Sequence, residues 1–151
     1  MELTHDHLDQ QLRQAAQTGN LEAVNEALNQ GANANTPDEL GDTALNLAAE
    51  FGHIEVVLRL LDVGADLEHL GGGQKTPLMN ATFAGQTPVV KLLLSRGARI
   101  NRDLLSSLEL KVSIAEENTE TDLDYVVATA WRCLLEYMVA EWQQQNPPSA
   151  S

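Results

Sequence analysis

Apolar residues recur along this chain in short runs at helical spacing, broken by glycines and polar turns, and the arrangement repeats every 33 residues. Leu12, Leu45 and Leu78 form one column, Ala15, Ala48 and Ala81 a second, Val24, Val57 and Val90 a third, and Leu28, Leu61 and Leu94 a fourth. Two glycine ladders share the step: Gly19, Gly52 and Gly85, and then Gly31, Gly64 and Gly97, each of the latter followed by alanine (Ala32, Ala65, Ala98). Local signals divide each unit into helix, turn, helix and loop. Thr43 is placed to cap a first helix with Leu45, Ala48 and Ala49 on its inner face, and Gly52 supplies the left-handed residue that ends it. A second helix is predicted from near Ile54, burying Val56, Val57, Leu60 and Leu61 until Gly64. One such unit cannot hide its own apolar face, so three must stack and their ends must be covered by something more polar.

After Asn101 the columns fail. Residues 103–117 put Leu104, Leu108, Val112 and Ala115 on one face, with Asn118 where a terminating glycine would stand. Residues 121–143 open on Thr121 as a cap, with Asp122 and Asp124 near the positive end of the helix dipole. The inner stripe expected for this last helix is Leu123, Val127, Ala130, Leu134 and Met138; Cys133 is expected to be buried beside Leu134. Tyr125, Trp131, Tyr137 and Trp142 hold every tyrosine and tryptophan. The expected role is a helical lid, with surplus aromatics on the outer side as a second docking surface or a membrane-surface contact the alternative. The tail QQQNPPSAS is polar and broken by proline, and is expected to be disordered.

GDTALNLAAEFGHIEVVLRLLDVGADLEH (41–69) and QKTPLMNATFAGQTPVVKLLLSRGARIN (74–101) resemble ankyrin repeats, whose pattern runs G-x-T-P-L-H-x-A-A-x-x-G-H-x-E-V-V-x-x-L-L-x-x-G-A-D. QQLRQAAQTGNLEAVNEALNQGANAN (10–35) is similar to a degenerate first unit, with Gln10 where the family has threonine. Asn46 and Met79 replace the family histidine; Asn46 keeps a donor that can bridge neighbouring units, and Met79 does not. The resemblance implies an all-α ankyrin-type solenoid of three helix-turn-helix repeats (about 7–39, 40–72 and 73–103) over residues 1–102, a C-terminal helical cap over 103–144 and a disordered tail over 145–151.

Charge narrows the partners. With 22 acidic and 9 basic residues, a net charge of −13, the chain lacks the clustered cations that track a phosphate backbone, so no nucleic acid is expected to bind. The basic residues concentrate at Lys91, Arg96, Arg99, Arg102 and Lys111, read as solvated surface with a docking patch as the alternative. A single cysteine and a start, MELTHDHLDQ, unlike a secretory signal point to a reducing cytoplasm. No apolar run approaches the roughly 18–20 residues that a membrane span needs, so a soluble protein is expected.

Candidate chemistry is sparse. LGGGQKTPLMNA (70–81) looks at first like a phosphate-binding loop, but His69 and Gln74 stand where a Walker loop needs glycine, and Thr76 shares a column with the capping Thr43. Gly71, Gly72 and Gly73 are instead expected to make a flexible turn between repeats. His5 and His7 flank Asp6 without a third ligand at helical spacing. His53 falls in the family's Gly-His column, where the resemblance implies a structural role, and His69 lies in a loop with no acid or nucleophile beside it. Asn80-Ala81-Thr82 matches a glycosylation acceptor inside a predicted helix. No catalytic residue, cofactor or metal is therefore expected.

The family resemblance implies protein binding through the finger turns and the exposed side of the first helices. Those slots fall on Gln17 and Thr18 in the first unit, on Asp38, Glu39, Leu40, Asp42, Glu50 and Phe51 in the second, and on Lys75, Phe83 and Ala84 in the third. Phe51 and Phe83, the only phenylalanines, are read as partner anchors or as packing between repeats. The leading expectation is a small, monomeric, bacterial adaptor or assembly factor in the cytoplasm. The rivals are an acidic inhibitor that occupies a basic or nucleic-acid-binding surface of its target, and an enzyme whose site lies in the C-terminal third.

Overall fold

The computed structural model describes residues 5–118 and 121–148, with the side chains of Asp122, Leu123 and Tyr125 outside the description. Among the described residues the regular structure is entirely helical. The chain divides into two compact units, Met1–Ala98 and Arg99–Ser151.

The first unit holds three helix pairs: α1 (His5–Thr18) with α2 (Leu21–Asn29), α3 (Ala44–Phe51) with α4 (Ile54–Asp62), and α5 (Pro77–Phe83) with α6 (Thr87–Ser95). Helices α1, α3 and α5 pack side by side as one layer, and α2, α4 and α6 line up as a second. The 33-residue columns explain the order: Leu12, Leu45 and Leu78 are buried, as are Val24, Val57 and Val90, so each repeat presents the same apolar face to the next. Small side chains at Ala15, Ala48 and Ala81 and at Ala16, Ala49 and Thr82, all buried, let the first helices approach closely. Leu61 is half-buried, and Leu60, completely enclosed, is the leucine that α4 gives to the core.

Local chemistry sets the helix ends. Thr43 and Asn46 form a reciprocal cap at the start of α3, and Gly52 closes it at φ +79°, a conformation that costs side-chain-bearing residues about 1 kcal/mol or more. The glycine also makes room. His53 reaches back across Gly19 and its Nε2 donates to the Gln17 carbonyl at 2.9 Å, while Gln86 lies across Gly52 and its Nε2 donates to the Glu50 carbonyl at 3.2 Å. Each repeat is thus tied to the carbonyl end of the helix before it.

A polar seam crosses the first layer as well. Buried Asn46 accepts from the Thr43 hydroxyl at 2.7 Å and donates through Nδ2 to the Lys75 carbonyl at 3.2 Å. Met79 cannot continue the seam, but its neighbour Asn80 does, donating to the Asn46 carbonyl at 3.4 Å. Asn80 and Thr82 are buried within α5, which leaves no accessible acceptor in the Asn80-Ala81-Thr82 motif.

The second unit is a hairpin of α7 (Arg102–Glu117) and α8 (Asp122–Gln145). Asn101 caps α7 and Thr121 caps α8, and the two helices enclose Leu104, Leu105, Leu108 and Val112 with Ala128, Leu134 and Met138. The stripe expected on α8 is corrected here: Val127, Ala130 and Cys133 are exposed. The segment is apolar nearly all round, so its spacing alone does not choose a face, and packing selects Ala128, Leu134 and Met138. Trp131 and Trp142 are half-buried, with the Lys111 ammonium 4.8 Å and the Arg102 guanidinium 5.8 Å from their rings. Helix α8 runs into the segment expected to be a disordered tail, whose residues 149–151 lie outside the described residues.

Candidate functional site

Two finger turns and the exposed face of the first helices make up the surface singled out from sequence. The first finger, between α2 and α3, is closed by Asp38. Its Oδ1 accepts the N–H groups of Leu40 and Asp42, each at 2.9 Å, and the backbone adds Asp38 N–H to the Asp42 carbonyl at 2.9 Å. This turn carries Glu39 and Leu40 at its tip, where Leu40 is 77% exposed. Its base is fastened to α1: Arg13 donates to the Thr36 carbonyl at 3.1 Å, and buried Asp9 accepts the Asn33 N–H at 2.6 Å.

The second finger contains the three glycines. Gly71 N–H donates to the Lys75 carbonyl at 2.9 Å, Gly72 N–H donates to the Asp42 carboxylate at 2.8 Å, and His69 Nε2 donates to the Gly41 carbonyl at 2.9 Å. A Cβ on Gly71 would run into the Asp42 carboxylate and come within 2.9 Å of Asn46 Nδ2. Gly71 and Gly72 therefore serve close approach of one finger to the next, and Gly73 a left-handed turn at φ +68°, where flexibility was expected. Thr76 caps α5 by accepting the Met79 N–H at 3.3 Å, which gives the Lys-Thr pair a structural explanation in place of a phosphate-binding one.

Beside the first finger lies an open groove of about 870 Å³. One wall is the exposed face of α1, with Asp6, Gln10, Gln14 and Gln17; the other is the finger itself, and half-buried Leu47 of α3 completes the lining. Of the residues expected to meet a partner, the groove gathers Gln17, Asp38, Glu39 and Leu40. Asp6, Gln10, Gln14 and Leu47 were missed by sequence reasoning, although the i, i+4, i+7 spacing of the three glutamines marks a polar face.

The remaining expected residues stand elsewhere. Thr18 is exposed at the end of α1, its hydroxyl bonded back to the Gln14 carbonyl at 3.0 Å. Asp42 is half-buried and holds the second finger, and Glu50, Lys75 and Ala84 are exposed. Phe51, 48% exposed, stacks on the His53 ring at 6.4 Å between centroids, with 14° between planes. Phe83 is half-buried, with the Lys75 ammonium 6.0 Å from its centroid. Both phenylalanines are thus neither core nor fully free.

Among the described residues no three His, Cys, Asp or Glu side chains gather as metal ligands, and His7 is engaged with Gln11 at 3.1 Å. Burial raises the Tyr137 phenol above its ordinary value of 10.0, and the charge and hydrogen bond of Glu141 raise it further. No helix among the described residues is long and apolar enough to cross a membrane.

A family model described as ankyrin repeats, in three copies, matches residues 12–103. No curated protein matches the chain.

Proposed function

The chain belongs to the ankyrin-repeat family, and from that premise we propose that it is a non-catalytic, cytoplasmic adaptor or assembly factor, monomeric by itself, that recognises a protein partner through its finger turns and the exposed side of its first helices. One observation carries the reading. Apolar side chains are held outward by hydrogen-bonded local structure: Leu40 on a turn closed by the Asp38 carboxylate, and Phe51 at the end of a helix whose next residue is the terminating glycine. Water disfavours such groups, and exposed apolar side chains ringed by polar ones are where interfaces concentrate their energy.

Gln17, Thr18, Asp38, Glu39, Leu40, Asp42, Glu50, Phe51, Lys75 and Phe83 are the proposed contact set. Asp38 and Asp42 contribute by fixing the fingers, and Glu39, Leu40 and Phe51 by direct contact. The test is affinity capture from the native cell with the wild-type chain and with a Leu40→Ser/Phe51→Ala variant in parallel, each checked for an unchanged helical circular dichroism spectrum. A protein retained by the first and lost by the second supports the reading. Equal capture by both, or none by either, counts against it.

A further inference from the structure

The groove beside the first finger has a definite chemical character. Asp6 stands in the first turn of α1 on one wall and Glu39 on the finger tip of the other, and neither carboxylate has a hydrogen bond or ion pair among the described residues. Arg13, the one cation among the described lining residues, donates to the Thr36 carbonyl, and Asp38 accepts from two backbone N–H groups. The described lining thus sets the carboxylates Asp6, Asp38 and Glu39 against one guanidinium, and its balance is negative. The lining also includes the exposed Leu40 and half-buried Leu47, and the glutamine face of α1 offers donors and acceptors to a peptide backbone.

We propose that this groove takes a cationic polypeptide segment of the partner, whose aliphatic or aromatic side chain packs on Leu40 and Leu47 while its Lys or Arg residues meet Asp6 and Glu39. Charge complementarity selects this occupant. A cation in the groove is attracted by the carboxylates of Asp6 and Glu39, an acidic segment would be repelled by them, and the chain's net charge of −13 draws basic surfaces from a distance. The inference rests on the protein-binding reading and specifies the partner's chemistry at one end of the array.

The experiment is selection of random dodecapeptides displayed on phage against the full-length chain at low salt, followed by fluorescence anisotropy of the enriched peptides. Enriched peptides should be net positive with at least one large apolar residue. Leu40→Ser should weaken them about tenfold or more, as loss of an interface anchor does. Asp6→Asn with Glu39→Gln should weaken them about fivefold and flatten the salt dependence. All three positions are exposed, so the variants should fold as the wild type does. Acidic or uncharged peptides that Leu40→Ser abolishes would overturn the cationic segment and leave the protein-binding surface standing. Peptides indifferent to these changes and also to Phe51→Ala and Phe83→Ala would overturn both, and an empty selection would overturn the cationic segment.

Discussion

The His53 imidazole lies across Gly19, close enough that a Cβ at that glycine would collide with the ring, and its Nε2 is 2.9 Å from the carbonyl oxygen of Gln17. Gly19→Ala should therefore cost backbone strain and the bridge together. Gly31→Ala, at φ +98° with nothing within 4 Å of the new Cβ, should cost strain alone. The difference should be about 1 kcal/mol, the worth of one hydrogen bond. In urea unfolding, Gly19→Ala combined with His53→Ala should cost less than the sum of the single changes, and simple additivity would show that the contact carries no energy.

Asn46 is a stronger test of the polar seam. Alanine there strips the buried Thr43 hydroxyl and the Thr43 backbone N–H of their shared acceptor, and leaving such groups unpaired costs about 1–3 kcal/mol each, while the Lys75 carbonyl keeps its bond from the Gly71 N–H. Asn46→Ala should lower folding stability by about 3 kcal/mol. Asn46→Asp should restore part of it, because a carboxylate oxygen still accepts from Thr43 while the donor to Lys75 is lost.

Gly71 and Gly73 are separated by mechanism. Gly71→Ala meets no backbone strain at φ −85°, yet its methyl falls on the Asp42 carboxylate and should cost about 1–3 kcal/mol. Gly73→Ala at φ +68° has only a lysine side chain nearby, at 3.6 Å, and should cost about 1 kcal/mol from strain. Magnesium ATP should leave the melting temperature unchanged in the wild type; a saturable rise would restore the phosphate-loop reading of residues 70–76.

Phe51→Ala removes a half-exposed ring stacked on His53 and should cost about 1 kcal/mol in folding stability. Phe83→Ala, from a half-buried site beneath Lys75, should cost about 2 kcal/mol. With a partner in hand, the double change should weaken binding by about 2 kcal/mol or more. Folding losses of about 3–5 kcal/mol at both sites would mark them as core and retire them as anchors.

Tyr137 predicts a pH effect. Burial and then Glu141 favour the neutral phenol in the folded chain, so the folded-state pKa lies above the unfolded one. The resulting stability is complete below the unfolded value of about 10 and is lost as pH rises through the folded value. In a Tyr125→Phe background, tyrosinate absorbance should report an upward-shifted transition. Glu141→Gln should lower it partway, because burial remains.

The caps at Thr43, Thr76 and Thr121 were legible in the sequence because each depends on residues within a few positions of one another, and the repeat register because the same apolar columns return every 33 residues. The bridges were not. Gln86 to Glu50, Asn80 to Asn46 and Asp42 to Gly72 join a side chain to a backbone atom 30 or more residues away, and a backbone acceptor leaves no residue type to recognise. The face of α8 was misjudged at Val127, Ala130 and Cys133 for a different reason, since apolar residues at nearly every phase make burial depend on what packs against the helix. The groove was half legible: its finger followed from family resemblance, whereas Asp6 and Leu47 joined it only through folding.

The joint at Gly19 and Gly52 also gives the array a heading. In each case the earlier unit presents a notch at the close of its first helix, and the later unit inserts the side chain that begins its second, His53 or Gln86. A copied stretch of 33 residues placed between the second and third units would find a notch waiting and leave one open behind it, so such a protein can lengthen by duplication without altering its neighbours. A unit turned end for end would bring plug to plug, and growth in that sense is closed to it.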